Sequence, residues 1–113
     1  MGRKAGVVAA DGPPPLEVSV TLEDPSSPII HLTGELDLAS VEMTKAGIAS
    51  YLAAKPARVT FDLEKLTFMD SSGIALLVQV SNDVGSVTLT HVPPIVHRVL
   101  DATGLLQHFG LTR

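Results

Sequence analysis

The sequence predicts a single α/β domain, in which a mixed, mostly parallel central sheet of four to five strands packs against three to four helices. Segments with apolar residues at every second position, as in strands, alternate along the chain with segments whose apolar residues recur at helical spacing. Prolines and glycines separate these segments. The chain has 113 residues, which is enough for one hydrophobic core but not for two.

The first part of the chain divides into a lead-in and two strands. Residues 1–15 contain glycines and three consecutive prolines, so we expect a flexible N-terminal segment, mobile or extended. The domain itself is assigned to residues 16–113. Apolar and polar residues alternate over 16–22, which predicts a half-buried strand. A proline- and serine-rich turn over 24–28 leads to a second strand over 29–33, antiparallel to the first.

The middle of the chain is predicted to form a helix and a third strand. The helix has either Asp37 or Ser40 as its N-cap and ends near Ala54, shortly before a proline. The third strand is expected over 58–63, with a loop leading from it to the polar turn at 70–73.

The remaining elements follow the same alternation. A helix is predicted over 72–80, a fourth strand over 87–90, and a last helix that starts at Pro93 or Pro94, where a missing N–H costs nothing. Residues 105–111 are expected to form a short strand or a turn. The strand–helix–strand order implies parallel strands joined by right-handed crossovers.

Composition excludes several classes of function. The net charge is −4 and lysine and arginine do not cluster, so the chain lacks the basic footprint of a nucleic-acid binder. It has no cysteine, which excludes disulfides and thiol catalysis. No apolar run approaches the roughly 20 residues that cross a bilayer. We therefore expect a soluble, cytoplasmic protein that binds neither nucleic acid nor membrane. A monomer or weak dimer is expected, although the sequence itself leaves the oligomeric state open.

The most informative residues are Asp70, Ser71, Ser72 and Gly73, which lie between a strand pattern and a helix pattern. A serine at such a junction can cap the helix, and it can also receive a phosphate beside the free N–H groups of the first turn. Glycine lets the backbone turn tightly. A phosphoryl group adds a charge of about −1.5 to −2, which would repel an acidic partner.

This run resembles the signature of the STAS family, the bacterial anti-sigma factor antagonists, in which Asp-Ser-Ser/Thr-Gly follows a hydrophobic strand. Two further segments agree. Residues 32–37 are similar to the family's TGELD segment, and residues 92–105 are similar to its last helix, which often opens with proline and closes on a TGL turn. The three segments occur in the family's order and cover roughly residues 16–110.

The resemblance implies a regulatory function and a partner. In STAS antagonists the first serine after the aspartate accepts the phosphate, which here is Ser71, with Ser72 as a neighbouring cap and alternative acceptor. The implied partner is an anti-sigma factor that is also an ATP-dependent serine kinase. In the family, unphosphorylated antagonist binds this kinase and frees the sigma factor, whereas phosphorylated antagonist dissociates from the kinase.

The resemblance also implies the surroundings of the switch, formed by Glu35, Asp37, Asp70, Ser72 and Gly73. The two aspartates match acidic positions of the family near the acceptor. A second interpretation stays open: a non-switching STAS accessory subunit of a lipid-transport or signalling complex, in which the acceptor serine is only a helix cap.

We expect neither catalysis nor a cofactor. Carboxylates such as Glu35, Asp37 and Asp70 are more often solvated or capping groups than an acid–base pair or a metal site. The four histidines have no ligand spacing of the His-x-x-x-His kind, so we expect no metal site. Walker A and dinucleotide-binding patterns are missing from the sequence.

Overall fold

The N-terminal segment differs in part from the expectation. The computed structural model describes residues 2–4 and 16–111. Within the lead-in, Gly2–Lys4 form an edge strand, β1, that pairs antiparallel with the next strand rather than a flexible tail. Residues 5–15, the larger part of the segment expected to be flexible, lie outside the described residues.

Over residues 2–4 and 16–111 the sheet has five strands, in sequence order. The other four are β2 (Leu16–Thr21), β3 (Ile29–Leu36), β4 (Val59–Met69) and β5 (Val87–Thr90). The pairs β1–β2 and β2–β3 are antiparallel, and β3–β4 and β4–β5 are parallel. The predicted mixed sheet is confirmed. Parallel pairs are the majority from β2 onward, while β1 adds a second antiparallel pair.

In the part of the chain that the structure describes, three helices and a short turn complete the domain. Helix α1 (Val41–Ala53) connects β3 to β4, α2 (Ser71–Asp83) connects β4 to β5, and α3 (Pro94–Ala102) follows β5. A 3₁₀ turn, Gln107–Phe109, takes the place of the short strand or turn expected near the C-terminus. No helix in the described part of the chain is long and apolar enough to cross a membrane.

The core lies between one face of the sheet and the helices. Strand side chains alternate between the two faces, and the buried set on β2, β3 and β4 meets the buried faces of the helices. The largest fully buried side chains are Phe61, Leu16, Ile30, Leu32, Leu36, Ile48, Leu63, Met69, Leu77 and Leu100. The opposite face of the sheet is polar and only half-buried; it carries Glu17, Ser19, Thr21, His31 and Asp62.

Strand β4 is longer than the sequence predicts. The expectation of a loop after residue 63 is wrong, because the strand continues to Met69. Its register against β3 shifts twice, between His31 and Thr33 and between Gly34 and Glu35. At each shift β4 carries one extra residue, a β-bulge, which breaks the alternation by which strands are recognised. The strand therefore delivers the chain directly to the turn at 70–73.

Candidate functional site

Asp70 is the residue that caps helix α2. Its backbone is extended, and one carboxylate oxygen accepts hydrogen bonds from the N–H groups of Ser72 (2.8 Å) and Gly73 (3.3 Å). The expectation that a serine caps this helix is therefore wrong, and Ser72 donates to the cap instead of forming it. Both residue types cap helices well, and here the carboxylate satisfies the first-turn donors. The serine hydroxyls are consequently left available.

Ser71 is exposed to solvent at the first position of α2, whereas Ser72 is half-buried. Within the described residues the Ser71 hydroxyl forms no hydrogen bond with another side chain or with the backbone. Neither packing nor the helix cap requires this hydroxyl, so a modifying enzyme can reach it. A group attached to its oxygen would extend into solvent at the positive end of the helix dipole.

Asp37 lies beside Asp70, because β3 and β4 are parallel neighbours whose last residues, Leu36 and Met69, are in register. The Asp70 N–H donates to the Leu36 carbonyl (3.3 Å), and the Leu38 N–H donates to the Asp70 carboxylate (3.3 Å). These bonds join the two strand ends. The acidic residues that the sequence resemblance groups around the acceptor thus come from adjacent strands.

Asp37 and Ser40 build the turn before α1 together. The Asp37 carboxylate accepts from the Ser40 N–H (3.1 Å), and the Ser40 hydroxyl accepts from the Asp37 N–H (3.0 Å) and donates to the Glu35 carbonyl (2.8 Å). Ser40 stands at the N-cap position but makes no side-chain cap bond. Both candidate caps therefore act by fixing the loop, which holds the end of β3 in position.

Gly73 is required by packing rather than by an unusual backbone angle. It is buried, and a Cβ atom at this position would lie 2.7 Å from Met69 Cγ and 3.0 Å from Leu36 Cδ2. The glycine lets the first turn of α2 approach the ends of β3 and β4 closely. The sequence indicated a tight turn here, and the close approach is the reason for it.

Two exposed apolar side chains flank the turn and were missed from the sequence. Leu38 is 75% exposed on the loop after β3, and Phe68 is 41% exposed near the end of β4. Phe68 pairs in register with Glu35, which is also exposed. The bulge in β4 turns Phe68 outward, which no alternation pattern could indicate. Two exposed apolar side chains therefore lie close to the acceptor turn, at the ends of adjacent strands.

A second polar cluster lies on the open face of the sheet, around Asp62. Its carboxylate contacts the Nδ1 atoms of His31 (2.9 Å) and His91 (3.0 Å) and accepts from the Glu64 N–H (3.2 Å). Burial raises the pKa of Asp62, but the hydrogen bonds from His91, Glu64 and His31 together outweigh it and hold the pKa below its usual value. Histidines far apart in sequence thus meet at one carboxylate, although their spacing gave no signal.

Comparisons with known proteins identify the family. The profile of the STAS domain matches residues 19–113, so the chain belongs to the STAS family. It is 30% identical over 84 residues to an anti-sigma F factor antagonist of Paenibacillus polymyxa, covering 70% of this chain and 72% of that protein.

Solved structures agree with the family assignment. The anti-sigma factor antagonist SpoIIAA in its unphosphorylated form matches with a TM-score of 0.70 and 28% identity, over 78% of this chain and 81% of SpoIIAA. The phosphorylated form of SpoIIAA, a Bacillus cell fate determinant, matches with a TM-score of 0.64 and 27% identity, over 78% of this chain and 84% of that one. The α/β fold predicted from the sequence is therefore the STAS fold.

Proposed function

We propose that this protein is an anti-sigma factor antagonist that binds an anti-sigma factor with serine kinase activity. In this proposal the unphosphorylated protein holds the anti-sigma factor and thereby releases the sigma factor, and phosphorylation of Ser71 ends the binding. The relatives named as anti-sigma F factor antagonists support the partner class. SpoIIAA occurs in phosphorylated and unphosphorylated forms, both of which resemble this chain.

The observation that carries the proposal is the exposed hydroxyl of Ser71 beside a helix cap that does not use it. The Asp70 carboxylate already accepts hydrogen bonds from the N–H groups of Ser72 and Gly73. A kinase can therefore modify Ser71 without first unfolding the turn. Ser72 remains the alternative acceptor, but it is half-buried and its N–H lies within the cap.

The charge balance at the turn favours a change in binding over a change in fold. A phosphoryl group at the first helical position gains about 0.3–1 kcal/mol from the helix dipole. It also meets the like charge of Asp70, which opposes that gain. Because Ser71 is exposed, water solvates the added charge in the free protein. The two effects offset each other, so the modified domain stays folded.

In a complex the same charge is costly. Leu38 and Phe68 offer apolar surface on either side of the turn, and a partner that covers them excludes water from Ser71 as well. A dianion in such an interface is desolvated, and the acidic residues Asp37 and Asp70 on the adjacent strand ends add to the cost. A penalty of about 3–4 kcal/mol weakens binding by roughly 100- to 1,000-fold, which is sufficient for a switch.

The test uses phosphorylation mapping with matched variants. We expect an anti-sigma factor kinase of the same organism, given ATP, to add one phosphoryl group to the wild type, which mass spectrometry of peptides assigns to Ser71. Ser71→Ala should prevent the modification and keep the binding, Ser71→Asp should weaken binding, and Ser72→Ala should behave as wild type.

Two results would contradict the proposal. Modification confined to another residue would remove Ser71 as the acceptor. Equal binding by wild type, Ser71→Ala and Ser71→Asp would show that binding ignores the chemistry of this serine. The second result is the one expected of a non-switching accessory subunit.

A further inference from the structure

The cluster around Asp62 lies apart from the switch, on the polar face of the sheet. His31 on β3 is the direct cross-strand partner of Asp62, and Thr90 on β5 is its partner on the other side. His91 directly follows Thr90, and its ring contacts the Asp62 carboxylate. Three neighbouring strands therefore bring two imidazoles to one carboxylate.

Two local departures from regular backbone converge on this carboxylate. The first register shift of β4 inserts an extra residue after Asp62. In this bulge the Glu64 N–H donates a hydrogen bond to the Asp62 carboxylate. Bulges of this kind re-aim side chains and are common beside functional sites. The second departure is His91, whose φ of 53° is unfavourable for a residue with a side chain. Such strain persists where the surrounding structure holds it and is frequent at ligand sites.

The ligand atoms of Asp62, Glu64 and His91 all lie within 4.8 Å of one another. Ligand atoms around a zinc ion, at about 2.0–2.2 Å from the metal, are roughly 3.3–3.6 Å apart in a tetrahedron. The Asp62 and His91 atoms, 3.0 Å apart, are already close to that separation. The Glu64 side chain is exposed, so it can rotate toward the other two without disturbing the core.

We propose that Asp62, Glu64 and His91 bind a divalent transition-metal ion, Zn²⁺ in the first instance, with water at the remaining position. An imidazole nitrogen among carboxylate oxygens favours Zn²⁺ over Mg²⁺ or Ca²⁺, which prefer oxygen ligands alone. His31 is a positioning residue: its Nδ1 bonds the second Asp62 oxygen and its Nε2 bonds the Thr21 hydroxyl (2.9 Å). Such outer partners orient metal ligands.

The site is open to solvent on the polar face. A groove of about 410 Å³ runs beside it, lined among others by Glu17, His31, Asp62, Glu64 and Lys65. A hydrated ion can enter through this groove, and His91 binds it through Nδ1 in the tautomer that carries its proton on Nε2. A bound ion would connect β4 to the segment that leads from β5 into α3.

The test is calorimetric titration of the untagged, full-length protein with Zn²⁺ after removal of metal by a chelator. We expect one Zn²⁺ per chain, no comparable binding of Mg²⁺, and X-ray absorption of the complex showing one imidazole with oxygen ligands at about 2.0–2.2 Å. His91→Asn should weaken binding at least about tenfold. Asparagine tolerates the positive φ, so this variant is expected to stay folded, which circular dichroism checks.

The matched control is His108→Asn, which removes an exposed histidine that contacts Ser81 instead of the cluster. It should bind Zn²⁺ as wild type does. The proposal is overturned by absence of Zn²⁺ binding, by equal affinities of wild type and His91→Asn, by equal losses in the two histidine variants, or by Mg²⁺ binding as tightly as Zn²⁺. None of these outcomes depends on Ser71, so the proposed switch and this site fail or succeed separately.

Discussion

Replacing Asp70 by alanine removes the one side chain that caps α2 and joins it to the loop after β3. Its carboxylate accepts from the N–H groups of Ser72, Gly73 and Leu38, at 2.8, 3.3 and 3.3 Å. Loss of an N-cap typically costs about 1 kcal/mol, and loss of the favourable charge at the helix N-terminus adds about 0.3–1 kcal/mol. With the third N–H also left without its acceptor, we expect a loss of about 2 kcal/mol in the free energy of unfolding.

This loss converts into a measurable shift of the melting temperature. At about 2.1 cal/mol/K per residue, the unfolding entropy of a 113-residue domain is about 0.24 kcal/mol/K. Asp70→Ala should therefore lower Tm by about 8 °C, measured by differential scanning calorimetry at neutral pH. Asp70→Asn keeps one oxygen to cap the helix, but it loses the charge and the second oxygen, which accepts from the Leu38 N–H. It should therefore lower Tm by about 4 °C, half the effect of Asp70→Ala.

The matched control is Asp83→Ala, at the exposed last residue of the same helix. There a negative charge faces the negative end of the dipole, so its removal should leave Tm unchanged or slightly raised. A Tm for Asp70→Ala within about 2 °C of wild type would refute the reasoning, because the cap would then contribute little to the fold.

Three further outcomes are expected. Gly73→Ala should lower stability in urea titrations, since its Cβ would lie 2.7 Å from Met69 Cγ in a packed region. Overpacking costs about 1–3 kcal/mol, whereas the gain in helix propensity is about 1 kcal/mol. An unchanged or higher urea midpoint would contradict this expectation. The pKa of Asp24 is held below its usual value, first by the Ser26 N–H and then by the Ser26 hydroxyl. Ser26→Ala should therefore raise the NMR titration midpoint of Asp24 but leave it below 3.8. The stability that the Asp24 carboxylate contributes is present above pH 3.8 and is lost as the pH falls through the pKa of Asp24 in the folded state. A midpoint that does not move would exclude the Ser26 hydroxyl as a cause. Leu38→Ser should leave Tm nearly unchanged, because the side chain is 75% exposed, yet weaken binding of the anti-sigma factor; an unchanged affinity would place the contact surface elsewhere.

Most of the fold could be predicted because its elements follow simple periodicities. The alternation in β2 and the proline at the start of α3 each identified an element that the structure confirms. The second half of β4 could not be predicted, because its buried residues Leu63, Leu66 and Met69 are spaced by three around two bulges. Strand β1 was missed since its three residues carry no alternation.

The candidate site shows the same division between local and non-local information. The turn itself was predicted, because Asp70 to Gly73 are consecutive in sequence. The identity of the cap was not, since aspartate and serine cap helices about equally well and the backbone geometry decides between them. The cluster at Asp62 was also missed, because His31 and His91 reach it only through the pairing of β3, β4 and β5.

The most direct test of the proposed switch is the affinity of the anti-sigma factor for protein carrying phosphoserine at position 71, compared with unmodified protein. Isothermal titration calorimetry measures both, and circular dichroism checks that the modified chain is folded. The proposed switch predicts at least about 100-fold weaker binding of the phosphorylated protein, with the fold retained. Equal affinities of the two forms, or loss of binding only because the modified domain unfolds, would contradict a switch based on charge at Ser71.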